Sequence, residues 1–153
     1  KVSDDLVKKV VKRVKEGGMG FISLHSSHFA KPNKALMGTP CSWGAYKGDC
    51  LTLTIKTLDK QHPIAKGVDP EFTVENSERY ADPYAVPKPE AVVFNGDAKL
   101  KDGKTDTSQI GLTWTIGKGR MFYFQAGHET NPIYFDKNVR KIMANAVTWA
   151  AGK

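Results

Sequence analysis

The stretch Met19-Gly20-Phe21-Ile22-Ser23-Leu24-His25-Ser26-Ser27-His28 decides how this chain is read. Met19 to Leu24 form a short apolar run, bounded by glycine before it and polar residues after it, which is the pattern of a buried strand. Upstream, Leu6, Val7, Val10, Val11 and Val14 recur at helical spacing. Ser3 stands where an N-cap belongs, Asp4 and Asp5 sit at the positive end of the helix dipole, and Gly17-Gly18 stop the helix. A helix feeding a buried strand predicts an α/β fold with parallel pairing, in which ligands gather beyond the carboxyl ends of the strands.

Downstream, Lys31 to Met37 read as a short helix, with Pro32 near its start and Gly38 as its stop. Residues 39–50 hold Gly, Pro, Ser and Cys and read as a loop. Leu51, Leu53 and Ile55 alternate with threonines as a half-buried strand, and Phe72 and Val74 begin another extended stretch. Ala91 to Phe94 read as a buried strand, and 97–108 as an exposed polar excursion. Leu112, Trp114 and Ile116 then alternate, Gly117-Lys118-Gly119-Arg120 turns the chain, and Met121 to Phe124 return, which predicts a C-terminal antiparallel hairpin. The last helix starts at Asp136 and carries Val139, Ile142, Met143, Ala146, Val147 and Ala150 on one face. About six strands against so few helices leave a parallel sheet short of cover. That count predicts a strand-helix-strand segment before Lys1, missing here or supplied by another chain.

The 153 residues predict one domain over 1–153, large enough for a true core. No apolar run approaches the ~18 residues of a membrane span, and no secretory signal stands at the start. With Cys41 and Cys50 read as unbridged thiols, the chain reads as cytoplasmic; a disulfide between them in an oxidising, extracytoplasmic compartment is the alternative. The net charge of +7 invites nucleic acid as a partner. However, Lys8, Lys9, Lys12, Arg13 and Lys15 crowd one helix face and meet no aromatic platform, so no specific nucleic-acid binding is expected.

Two polar clusters end strands. His25-Ser26-Ser27-His28 follows the first, and Gln125-Ala126-Gly127-His128-Glu129 follows the Met121–Phe124 return, where Gly127 permits a sharp turn. A third, around Glu78-Arg79-Tyr80, carries a carboxylate and a phenol. His25, His28 and His128, with Glu78 or Glu129, have the donor chemistry for zinc or another divalent ion. The same residues suit metal-free proton transfer beside a carbonyl. Both readings stand on sequence alone. No G-x-S-x-G, P-loop or G-x-G-x-x-G motif occurs.

Gly20 to His28, Leu36-Met37-Gly38-Thr39, His62-Pro63-Ile64 with Gly67, Glu78-Arg79-Tyr80, and above all Gly117 to Glu129 with Pro132 and Tyr134 resemble the ThuA-like (trehalose utilisation) family. Asn145 to Ala150 resemble its closing helix. The resemblance implies a flavodoxin-like three-layer sandwich with a mostly parallel sheet, related to class I glutamine amidotransferases. The turn that carries a nucleophilic Cys in those relatives here carries His25 and His28, which argues against Cys-dependent amide hydrolysis. The family's association with disaccharide breakdown implies a sugar, in particular a keto-sugar, as substrate. By their own side-chain chemistry, at positions that match the family, His25, His28, His128, Glu129 and Glu78 are the expected catalytic residues. Ser26, Ser27, Tyr80, Tyr134 and Trp114 are the expected substrate contacts. A sugar-binding or accessory module without turnover is the alternative, and an exposed sheet edge would favour pairing into a homo-oligomer.

Overall fold

The computed structural model describes residues 2–153. Helix α1 (Asp4–Lys15) is capped by Ser3, whose hydroxyl accepts from Leu6 N, and leads into strand β1 (Phe21–Leu24). A 3-10 turn (His25–Phe29) and helix α2 (Lys31–Met37) follow, with Gly38 ending α2 in the left-handed conformation. Strands β2 (Trp43–Asp49), β3 (Thr52–Thr57), β4 (Glu71–Glu75), β5 (Glu78–Tyr84), β6 (Ala91–Lys99), β7 (Thr105–Ile116) and β8 (Gly119–Phe124) precede helix α3 (Lys137–Ala150).

The architecture is α/β with a mixed six-stranded sheet in the order β1-β8-β7-β6-β3-β4 and a separate two-stranded ribbon of β2 and β5. The expected mostly parallel, flavodoxin-like sheet is not what forms. Among the described residues β1 and β8 are the parallel pair, with Ser23 opposite Tyr123, and the remaining pairs are antiparallel. Connection length explains the antiparallel pairing of β6 with β7 and of β7 with β8. Parallel neighbours need a crossover of a dozen or more residues, whereas β6 runs to Lys99 before β7 begins at Thr105, and Gly117-Lys118 alone join β7 to β8. Two stretches read as loops are strands. Residues 39–50 contain β2, and 97–108 continue the β6–β7 hairpin, where polar outward-facing side chains such as Thr107 and Asp97 hydrogen-bond to each other at 2.6 Å.

Alternation along β8 sorts the core into two faces. Phe122 and Phe124 join Leu53, Ile55, Phe94, Ile110 and the buried face of α3. Met121 and Tyr123 join Leu112, Trp114, Val14 of α1, and Leu36 and Met37 of α2. Trp43 and Tyr84 of the ribbon pack on this second cluster, supplying cover that a count of helices leaves out. No helix among the described residues is long and apolar enough to cross a membrane. Cys41 and Cys50 are buried free thiols.

Candidate active site

Where β1 ends, His25 takes φ +47°, a left-handed conformation that costs a β-carbon-bearing residue energy and that histidine adopts more readily than most. This bend directs the imidazole across the carboxyl ends of β1 and β8. Nδ1 of His25 lies 3.1 Å from the carbonyl of Gln125 and Nε2 lies 2.8 Å from Oε2 of Glu78. Because a carbonyl only accepts, the hydrogen bond at Nδ1 is donated by the ring, which leaves Nε2 facing the carboxylate.

The 125–128 turn is bolted to the start of β5. Ser77 Oγ accepts from Gly127 N at 3.0 Å, Gly127 O accepts from Glu78 N at 3.0 Å, and the Gln125 side-chain amide donates to Tyr80 O at 2.9 Å. Gly127, at φ +152°, has no room for a side chain, since a β-carbon there would come within 3.1 Å of His25 Cβ and would strike the Tyr134 hydroxyl. Tyr134 reaches this point from the 3-10 turn Pro132–Phe135 and donates to Ala126 O at 3.1 Å. Burial pushes its phenol up to about 12.

Glu78 is the hub. Oε2 also accepts from the Tyr80 hydroxyl at 3.2 Å, and Oε1 accepts from the Tyr46 hydroxyl and lies 3.4 Å from Nε2 of His128. Burial alone pushes the Glu78 carboxyl up. The Tyr46 hydroxyl, the His25 charge, the Tyr80 hydroxyl and His128 outweigh it and hold the group below the usual carboxylate range. Bonding to Glu78 in turn drives the Tyr46 phenol up to about 12. Nδ1 of His128 accepts from Thr130 N at 3.3 Å, so its proton sits on Nε2, facing the carboxylate. The rings of His25 and His128, 103 residues apart in the chain, have centroids 6.2 Å apart. A cleft of about 310 Å³ lined by Phe29, Trp43, Ala45, Tyr46, Glu78 and Tyr80 opens onto this group.

The other expected residues lie elsewhere. Glu129 points to solvent with 78% of its side chain exposed, 4.0 Å from His128. Ser26 is exposed, and Ser27 caps the 3-10 turn by accepting from Leu24 N at 2.7 Å. Trp114 is buried to 3% on the α1/α2 face, because strand alternation turns it inward, and its indole N–H donates to Pro87 O at 2.8 Å. His28 is fully buried and does not face Glu78. Its Nδ1 folds back onto its own turn, 2.9 Å from His25 O, and its Nε2 is buried without a partner among the described residues. The expected three-imidazole ligand set therefore does not assemble. Among the described residues no three His, Cys, Asp or Glu side chains are placed to share a metal ion. Tyr46 went unpredicted because the alternation of β2 is broken by bulges and glycines, and only pairing with β5 brings it over Glu78.

Solved structures with this fold include a ThuA-like protein of Parabacteroides merdae (TM-score 0.77, 15% identity, covering 100% of this chain and 67% of that one). A ThuA-like protein of Bacteroides uniformis is also similar (TM-score 0.65, 20% identity, 97% and 64%), as is a protein of Salmonella typhimurium described as cytoplasmic (0.66, 7%, 98% and 62%). The chain thus spans about two thirds of the length of each of these three. No curated protein matches it. The model of the ThuA family, described as trehalose utilisation, matches residues 1–150, so this chain belongs to the ThuA family.

Proposed function

We propose that this protein processes a carbohydrate of the disaccharide type by proton transfer at the Glu78 cluster, with a keto-sugar as the substrate. The observation that carries the reading is one carboxylate, at the foot of a cleft, facing two imidazoles and two phenols. A sugar hydroxyl displaces the Tyr46 hydroxyl from Glu78 and enters the aromatic cleft. Glu78 accepts a proton from the carbon next to the carbonyl. His25 and His128, which share its charge, return a proton to oxygen. Among the described residues no metal-ligand set forms, and the side chains of the cluster carry the proton transfer themselves. The trehalose-utilisation description of the family supports the substrate class. The buried, unbridged Cys41 and Cys50, and a similar protein described as cytoplasmic, support a reducing, cytoplasmic setting.

Glu78→Gln keeps the shape and removes the base. Turnover of a keto-disaccharide, followed with solvent deuterium incorporation at the adjacent carbon, should fall by about 10²-fold or more. Unchanged turnover removes Glu78 from the chemistry. A second reading, sugar binding without turnover, is favoured by the aromatic lining of the cleft. It predicts saturable binding that needs Trp43 and Tyr46, with neither product nor deuterium exchange.

A further inference from the structure

We infer that His28 and Tyr123 are positioning residues that hold the carbonyl of His25 and so keep the His25 ring aimed at Glu78. Two donors converge on that carbonyl, Nδ1 of His28 at 2.9 Å and the hydroxyl of Tyr123 at 3.0 Å. They arrive from different elements. His28 comes from the same 3-10 turn, three residues on, and Tyr123 comes from β8, where it lies opposite Ser23. His25 sits between them at φ +47°, a conformation that persists only when its surroundings over-determine it. The carbonyl is the atom through which those surroundings act, because its direction is set by the backbone rotation that also sends the ring toward Glu78.

The protonation of His28 follows from the same geometry. A nitrogen facing a carbonyl must donate, so Nδ1 carries the hydrogen and Nε2 carries the lone pair. Nε2 is buried with no partner among the described residues, and the ring is packed on Phe29 and Tyr80 with centroids 4.0 and 4.8 Å away. Among the described residues no carboxylate pairs with it, unlike His25 and His128. The H-x-x-H pair thus divides its work, with one ring in the cluster and the other behind it as a fixed neutral donor. Tyr123 is wholly buried, and its hydroxyl is also 3.4 Å from Nδ1 of His28, so it closes the group from the sheet side.

The weight of this assignment for catalysis rests on the proposed role of the Glu78 cluster, but its test needs no substrate. Ring nitrogens of protein labelled with ¹⁵N-histidine are observed at pH 7 in the wild type and in Tyr123→Phe, His28→Phe and His28→Gln. The wild type should show His28 protonated on Nδ1 and bare on Nε2. Tyr123→Phe removes one oxygen with little change of shape and should move the ring signals of His25, as should His28→Phe. His28→Gln, which restores a side-chain N–H, should bring them back toward the wild type. Where turnover is measured, Tyr123→Phe should lower kcat by roughly 10²-fold, the scale of a misplacement of about an ångström, with KM little changed. The inference is overturned if His28 carries its proton on Nε2, if the His25 signals stay put in Tyr123→Phe and His28→Phe, or if His28→Gln departs from the wild type as far as His28→Phe. An unchanged turnover in Glu78→Gln with displaced His25 signals in Tyr123→Phe would remove the proposed function and leave the clamp standing.

Discussion

At the scale of single residues, the site is a contest over one carboxylate. Burial works against an ionised Glu78, and donors from Tyr46, His25, Tyr80 and His128 win. Tyr46 is the largest of the opposing influences, yet the residue is 61% exposed. Tyr46→Phe should therefore raise the Glu78 carboxyl toward the usual range without disturbing the core, a change that ¹³C-detected titration of the carboxyl would read. His28 tells the opposite story. Burial lowers its affinity for protons below the usual value near 6.5, helped by the His25 and Lys34 charges and resisted only by its bond to His25. The unfolded chain then binds a proton that the native state refuses, so stability is present above about pH 6.5 and is lost as pH falls through the depressed native value. His62, also lowered chiefly by burial, adds to the slope with the same sign. The unfolding midpoint should drop between about pH 7.5 and about pH 5.5, and His28→Phe should flatten that drop without abolishing it. A midpoint independent of pH in this window would refute the assignment of a neutral buried His28.

At the scale of elements, local rules account for where pieces begin and end. Asp136 caps α3 by accepting from Asn138 N at 2.8 Å and Val139 N at 3.1 Å. Asp136→Ala leaves both donors unpaired at the N-terminus and should cost about 1 kcal/mol in denaturant unfolding. It should leave the His25–Glu78 pair unchanged, because α3 lies on the opposite face of the sheet from α1 and α2. The β2–β5 ribbon is a different case. Its strands are irregular and joined to the body through aromatic packing, Trp43 stacking on Tyr84 at 4.3 Å and Tyr84 meeting Tyr123 at 5.2 Å. No periodicity announces such an element, since half of its residues are polar or glycine and what fixes it is the partner strand. Of the three carboxylate and phenol residues that the ribbon places over the site, Glu78 and Tyr80 were legible as a polar cluster. Tyr46 was not, because its neighbours read as loop.

At the scale of the whole molecule, one sheet with a core on each face buries both cysteines in different environments. Cys41 sits with Leu36, Met37 and Trp114, and Cys50 sits with Leu53, Ile64 and Phe94. Burial raises the Cys50 thiol, the bond from its Sγ to Ser77 O only partly offsetting it. Neither thiol should react with an aromatic disulfide reagent in the native protein, and both should react on unfolding. Reaction at the native rate of a free thiol would mean that one of the two faces opens. Sequence alone determined the helices with their caps, the buried run within residues 19–24, the turn within residues 117–120 and the strand-end histidines, because each depends on side chains within a few positions of one another. Tertiary structure alone decided that the strands pair mostly antiparallel, that Trp114 faces the core, that Glu78 rather than Glu129 meets His25 and His128, and that His28 stands behind the site. Those outcomes depend on which strands become neighbours and which face alternation turns inward, and a chain reads neither from spacing along itself.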